Sequence, residues 1–208
     1  MTPRAHPTFT GPSVVAAALL WTAVAGAETW TESLDAGDQI ATAQVTMGVG
    51  PLTHIQGTLP VGTDVDLFCV QILDPIAFSA SLPCANAQAN DLWLFDPTGF
   101  GVVHDDGCTE SFVRLTGNFV PAAGTYYLAI SGNNSEARSG VYPIWEPASS
   151  NGARAPDGIG SFAALSHWAG ENRTSVSPYE IQLSGCTFCE ESVQNLGVTW
   201  GRVRALYR

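Results

Sequence analysis

The sequence predicts an all-β protein, a jelly-roll-like antiparallel β-sandwich, and three observations lead there. Charged residues make up only 13% of the chain while hydrophobic residues reach 45%, with 21 Gly and 13 Pro, a balance that favours short strands and many turns over helices. From Glu28 onward apolar and polar residues alternate with period two, the mark of half-buried strands. Turn chemistry then cuts the alternation into short runs, and no stretch patterns as a helix of three turns.

The elements follow in order. Arg4 precedes an apolar run from Ser13 to Ala27 that ends in Ala25-Gly26-Ala27, with Glu28 next. This is the charged start, apolar centre and small-residue cleavage site of a secretory signal. The run is short of the roughly 20 apolar residues a membrane span needs. Residues 1–27 are therefore expected to be removed, leaving Glu28 as the first residue of an exported chain that is secreted or held in the cell envelope. Residues 28–51 read as an N-terminal strand and linker region.

Within residues 52–185 the strands are clearest. Ile55, Gly57 and Leu59 alternate with His54, Gln56 and Thr58; Ile76, Phe78, Ala80 and Leu82 with Ala77, Ser79 and Ser81; Tyr179, Ile181 and Leu183 with Glu180, Gln182 and Ser184. Tyr126, Leu128 and Ile130 form a further apolar face. The runs Val65 to Ile72 and Leu92 to Phe95 are apolar on both faces and read as central strands. Asp96-Pro97-Thr98-Gly99 places Pro where a turn wants its fixed φ, and should join the strand ending at Phe95 to one from Phe100 to His104. Pro121 to Gly124 leads into a strand from Thr125 to Ser131. Residues 138–174 form a long loop rich in Gly, Pro, Ser and Asn that carries Tyr142, Trp145, Phe162 and Trp168, and its aromatics favour an ordered loop packed on the sandwich. Residues 186–208 are a weakly patterned C-terminal tail.

The order of motifs resembles the bacterial pre-peptidase C-terminal domain family. Asp64-Val65-Asp66-Leu67-Phe68 opens a strand, Asp91-Leu92-Trp93-Leu94-Phe95-Asp96 runs into a Pro-Gly turn, Gly124-Thr125-Tyr126-Tyr127 follows, and Tyr179-Glu180-Ile181-Gln182-Leu183 closes. The resemblance spans residues 52–185. It implies a jelly-roll-like sandwich that serves secretion, targeting or matrix binding without chemistry of its own, and in some relatives calcium binding. Two features depart from the family pattern: the 138–174 loop intervenes before the closing strand, and no protease domain precedes the module in the 208 residues.

Charge and motifs narrow the function. Acidic residues number 19 against 8 basic ones, all Arg, for a net charge of −11; such a chain repels phosphate backbones and anionic membranes. Neither a Gly-x-Ser-x-Gly elbow, a His-Glu-x-x-His motif nor a phosphate-cradling glycine loop is present, so the chain is expected to be non-catalytic. It reads as an exported binding or targeting module with extracellular protein or glycan as its partner; the alternative is a structural envelope or matrix protein that self-associates.

Three sets of candidate residues remain. Calcium takes six to eight oxygen ligands; Asp64 and Asp66, two apart on a strand start, can face one side, and the sandwich should gather some of them with Asp91, Asp96, Asp105 and Asp106 at one end. The competing reading is that Asp64 and Asp66 cap turns, and that His104-Asp105-Asp106 is a solvated turn. Trp145 and Trp168 in the long loop read either as a small core beneath it or as a ligand face. Among the cysteines, the hairpin at Pro97-Thr98 brings Cys84 and Cys108 near each other, so a disulfide is expected there; Cys69 reads as a free buried thiol, and Cys186-x-x-Cys189 as able to close on itself.

Overall fold

The computed structural model describes residues 26–60, 64–84, 90–107, 111–132, 135–147, 152–170 and 177–191. The expected signal segment, apart from Gly26 and Ala27, lies outside the described residues. So do Cys108 and the tail beyond Glu191.

Among the described residues the regular structure consists almost wholly of β-strands. In order these are β1 (Glu28–Thr31), β2 (Gln44–Val45), β3 (Met47–Gly48), β4 (Leu52–Leu59), β5 (Val65–Ile72), β6 (Ser79–Pro83), β7 (Asn90–Phe95), β8 (Gly101–Asp105), β9 (Phe112–Thr116), β10 (Gly124–Gly132), β11 (Glu136–Ser139), β12 (Tyr142–Pro143), β13 (His167–Ala169), β14 (Ser177–Ser184), β15 (Cys186–Phe188) and β16 (Glu190–Glu191). Short 3-10 turns cover Gly117–Phe119 and Ile159–Phe162. Among the described residues no helix is long and apolar enough to cross a membrane.

Two sheets pack face to face. The first runs β1-β4-β14-β6-β9, and the second β15-β5-β10-β7-β8 with β2 also alongside β5. Their inner faces share one core that includes Leu52, Ile55, Leu59, Phe68, Val70, Ile72, Leu92, Leu94, Leu128, Ile130 and Ile181. Most pairings are antiparallel as expected, but β1 pairs β4, β2 pairs β5 and β16 pairs β3 in parallel. The sheets also reach past residues 52–185: β1 adds an edge to the first sheet, and β15 extends the second along β5.

The alternation reads onto burial with one shift. Phe78, Ala80 and Leu82 point inward, but Ile76 is 96% exposed. The strand begins late because Asp74 and Pro75 close a turn first. The Ile76 amide donates to the Asp74 carboxylate, and the Ala77 and Phe78 amides to the Asp74 and Pro75 carbonyls. The Asp96-Pro97-Thr98-Gly99 turn forms as expected, with the Asp96 amide donating to the Phe100 carbonyl.

The runs that are apolar on both faces owe this to the inserted segment. Strands β11, β12 and β13 form a small sheet of order β12-β11-β13, which lies over the outer face of the second sheet. Beneath it Val65, Leu67, Trp93, Phe95, Ala129, Ile144, Trp145 and Leu165 make a second core. Gly101 admits this layer, since a Cβ there would collide with the Trp145 ring. A sandwich normally leaves that face to solvent; here a third layer dries it.

The cysteines differ from expectation. Cys69 is bonded to Cys189, with Cα atoms 5.4 Å apart and a sequence separation of 120. Cys186 is the buried free thiol among the described residues. Strand register explains both. Antiparallel pairing sets Phe188 opposite Val70, so Cys189 arrives beside Cys69. Three residues apart on an extended chain, Cys186 and Cys189 point to opposite faces and cannot close on each other. Cys84 is also disulfide-bonded; its expected partner, Cys108, lies outside the described residues.

Candidate metal centre

One end of the sandwich collects acids. Asp66 sits second in β5, opposite Ile130 of β10 and so on the inner face. It has no accessible surface. Its Oδ2 accepts a 2.6 Å hydrogen bond from the Tyr179 hydroxyl of β14, across the sandwich. Its Oδ1 has no hydrogen-bond partner.

The loop that follows β1 brings two more carboxylates to this place. The Glu32 amide donates to the Gln56 carbonyl, extending the β1–β4 pairing by a residue. Glu32 Oε2 then accepts from the Thr58 amide at 2.9 Å and Oε1 from the Ala36 amide at 3.2 Å. Asp35 Oδ1 accepts from the Gly37 amide, and the Gly37 carbonyl accepts from the amide of Leu67, next to Asp66. The loop reaches this shape through left-handed φ at Leu34 (61°) and Gly37 (66°). For Leu34 that conformation costs on the order of 1–2 kcal/mol. One ligand atom from each of Glu32, Asp35 and Asp66 lies within 4.8 Å of the others. A calcium ion with oxygens at about 2.3–2.6 Å spans such a group. Gly57 keeps the space clear, since a Cβ there would meet the Tyr179 hydroxyl and the Glu32 carboxylate.

Among the described residues the charges that act on these aspartates are all negative. Burial, aided by Glu32, Asp64 and Asp35, pushes the Asp66 carboxyl up to about 8 against the opposing Tyr179 hydrogen bond. Burial and the charges of Asp35 and Glu32 push Asp64 up to about 6. One Asp64 oxygen, Oδ2, is buried without a partner. Burial and then the Asp66 charge raise the Tyr179 phenol too, so it stays a donor at neutral pH. The donor set is entirely oxygen, which suits a hard cation such as calcium rather than zinc or copper.

The other sequence candidates divide. Asp91 sits second in β7 opposite Ser131, at the end of the second sheet where Asp66 lies. Asp105 and Asp106 come to the same end through the β7–β8 ladder. The expected gathering of acids therefore includes Asp64, Asp66, Asp91, Asp105 and Asp106. Asp96 is the exception. It stands at the far end of β7, where its Oδ1 accepts from the Thr98 amide, the Thr98 hydroxyl and the Phe100 amide; it is a turn cap.

His104 and Asp105 are not in a solvated turn. Both are 2% exposed and belong to β8. Asp105 accepts from the Gly107 and Arg114 amides. His104 stacks on Trp93 with ring centroids 3.4 Å apart. Burial pushes its pKa down to about 2, so the ring is neutral.

Trp145 is 3% exposed and meets Trp93 and Phe95 edge-on at 5.3 and 5.7 Å, so it is core and not a ligand platform. Trp168 is half-buried against the same rings. Its Nε1 donates to the Asp38 carbonyl at 2.7 Å, which ties the inserted layer to the loop that carries Asp35. The exposed apolar side chains of that layer are instead Val141, Tyr142, Ile159 and Phe162.

Sequence reasoning found Asp64 and Asp66 but not Glu32, Asp35 or Tyr179. Glu32 and Asp35 lie in the segment read as a linker and carry no local signature; only the parallel pairing of β1 with β4 brings them in. Tyr179 was legible as an inward residue, without its partner. No family model matches the chain, and no curated protein matches it.

Proposed function

We propose that this chain is an exported, non-catalytic β-sandwich module that binds calcium at Glu32, Asp35 and Asp66, with Asp64 beside them, and that acts by binding extracellular protein or glycan. The observation that carries the reading is Asp66: a buried carboxylate with an orphan oxygen, facing two further carboxylates. An uncompensated charge in such a place is costly, and a divalent cation removes the cost. The resemblance to the pre-peptidase C-terminal family points the same way and brings with it the jelly-roll-like topology and export of the chain.

The non-catalytic reading is supported by the dispersal of the described histidines. His54 pairs with Thr53, His104 is buried and neutral, and His167 pairs with its neighbour Ser166 on the surface. The binding reading is supported by the inserted layer, since exposed apolar groups held on a rigid scaffold commonly mark interaction surfaces.

The test is a melt of the chain from Glu28 onward, in chelator and then in millimolar calcium. Calcium should raise the melting temperature through mass action. Asp66→Asn should diminish the rise, and Asp157→Ala, which removes an acceptor for the Arg154 guanidinium and the Glu146 amide away from these acids, should keep it in full. Coincident curves for the unaltered chain, with no heat in a calorimetric titration, would remove calcium. Glycan and protein arrays then address the partner; concentration-dependent assembly without any ligand would favour a self-associating structural protein.

A further inference from the structure

A second group of acids stands at the same end of the molecule, on the other face of the second sheet. Asp91 is 2% exposed, and its Oδ1 has no hydrogen-bond partner. It lies opposite Ser131 of β10. On its other side the last pair of the β7–β8 ladder is Leu92 with Asp105, and Asp106 follows just beyond it. Burial, then the charges of Asp106 and Asp105, hold the Asp91 carboxyl well above the ordinary range. Arg154, whose backbone pairs with His104, directs its guanidinium to the Asp157 carboxylate and the Glu146 carbonyl.

We propose that Asp91, with Asp106 just beyond the end of the neighbouring strand, holds a second hard divalent cation, separate from the ion at Glu32, Asp35 and Asp66. A buried acceptor oxygen without a donor, set against like charges, leaves the folded state two remedies, a proton or a cation. A proton relieves Asp91 alone, whereas a cation draws Asp91 and Asp106 together. Carboxylate oxygens suit calcium or magnesium, and calcium accepts the irregular geometry of a strand end more readily. The two ions share no ligand. Asp66 faces inward beside Ile130 and Asp91 outward beside Ser131, with β10 between β5 and β7, so the strands are about 10 Å apart.

The test is the number of calcium ions bound by the chain from Glu28 onward, by calorimetric titration and equilibrium dialysis. The unaltered chain should bind two, D66N one, D91N one and the double variant none. In chelator D91N should melt above the unaltered chain, because a repelled buried carboxylate has become a neutral amide; in calcium the order should reverse. Terbium bound to D66N should be sensitised by Trp93, two residues along the same face from Asp91, and D66N/D91N should lose that emission. A folded D91N that binds as many ions as the unaltered chain overturns the proposal. If D91N does not fold, D106N decides it by the same count. A single ion abolished by D66N overturns this site and leaves the first standing; a count that falls in D91N but not in D66N does the reverse.

Discussion

Metal-free protein should lose stability as pH rises from 5 to 8, and Asp66→Asn should remove the largest share of that loss that can be assigned to one residue of the first site. The folded state holds the Asp66 proton up to about pH 8, while the unfolded chain releases it near the ordinary value of about 3.9. Between those values the folded state carries one proton more, so unfolding becomes easier as pH rises. The stability is fully present below pH 4 and is lost as pH climbs through 8. At about 1.4 kcal/mol per pH unit for one proton, the three units from 5 to 8 correspond to about 4 kcal/mol. For a chain of this length that is a fall of roughly 8–16 °C in melting temperature. Asp64, raised to about 6, steepens the lower part of the range. Calcium binds the ionised form, so millimolar calcium should flatten the profile, most strongly at pH 8. Scanning calorimetry at several pH values, with and without chelator, reads all of this, and Asn at position 66 should flatten the chelator profile because it carries no proton to lose. A melting temperature in chelator that rises from pH 5 to 8, or a D66N profile as steep as that of the unaltered chain, would refute the argument.

The remaining expectations are briefer. Cys189→Ser opens a loop of 120 residues and should cost about 2–5 kcal/mol in denaturant titrations, while Cys186→Ser, which breaks no disulfide, should not lower stability by a loop-closure term. Peptide mapping without reduction should join Cys84 to Cys108; a fragment joining Cys84 to any other cysteine rejects that pair. Trp145→Ala should cost about 3–5 kcal/mol as the inserted layer loses its central ring, and a change under about 1 kcal/mol would mean the layer does not depend on it. Mass spectrometry of exported protein should find Glu28 at the N-terminus, and a mature chain that still begins at Met1 would defeat the cleavage assignment.

The strands were legible because one face of each meets the core and the alternation records it: Tyr179, Ile181 and Leu183 are buried as their spacing implies. The central strands were legible for the opposite reason, since Val65 to Ile72 has little polar alternation and is buried on both sides. What covers its outer face was not legible. Trp145 and Trp168 carry the same residue type whether they bind a ligand or close a core, and only the register of β11 against β12 and β13 decides between them. Ile76 misled because a period-two pattern continues through a turn as readily as through a strand. Composition alone does not say where Asp74 and Pro75 have already closed the chain.

The cation site divides along the same physical line. Asp64 and Asp66 sit two apart on one strand, a local spacing with a geometric meaning, and could be read directly. Glu32 and Asp35 become their neighbours only through the parallel pairing of β1 with β4, contacts that join residues more than twenty positions apart and leave no periodic trace. The disulfide behaves likewise. Cys69 looked like an ordinary buried thiol because its partner lies 120 residues away, whereas the Cys186-x-x-Cys189 spacing invited a local bond that strand geometry forbids. Both the acids of the β1 loop and Cys189 fasten terminal segments onto β5, one at its first turn of residues and one near its middle. Removing either tether should therefore loosen an end of the chain before it unfolds the core. Hydrogen exchange can separate the two effects: chelation should raise exchange in β1 and the loop to Asp38, Cys189→Ser should raise it in β15 and β16, and β7 and β10 should stay protected in both. Equal loss of protection in β10 would mean that the tethers and the core unfold as one unit.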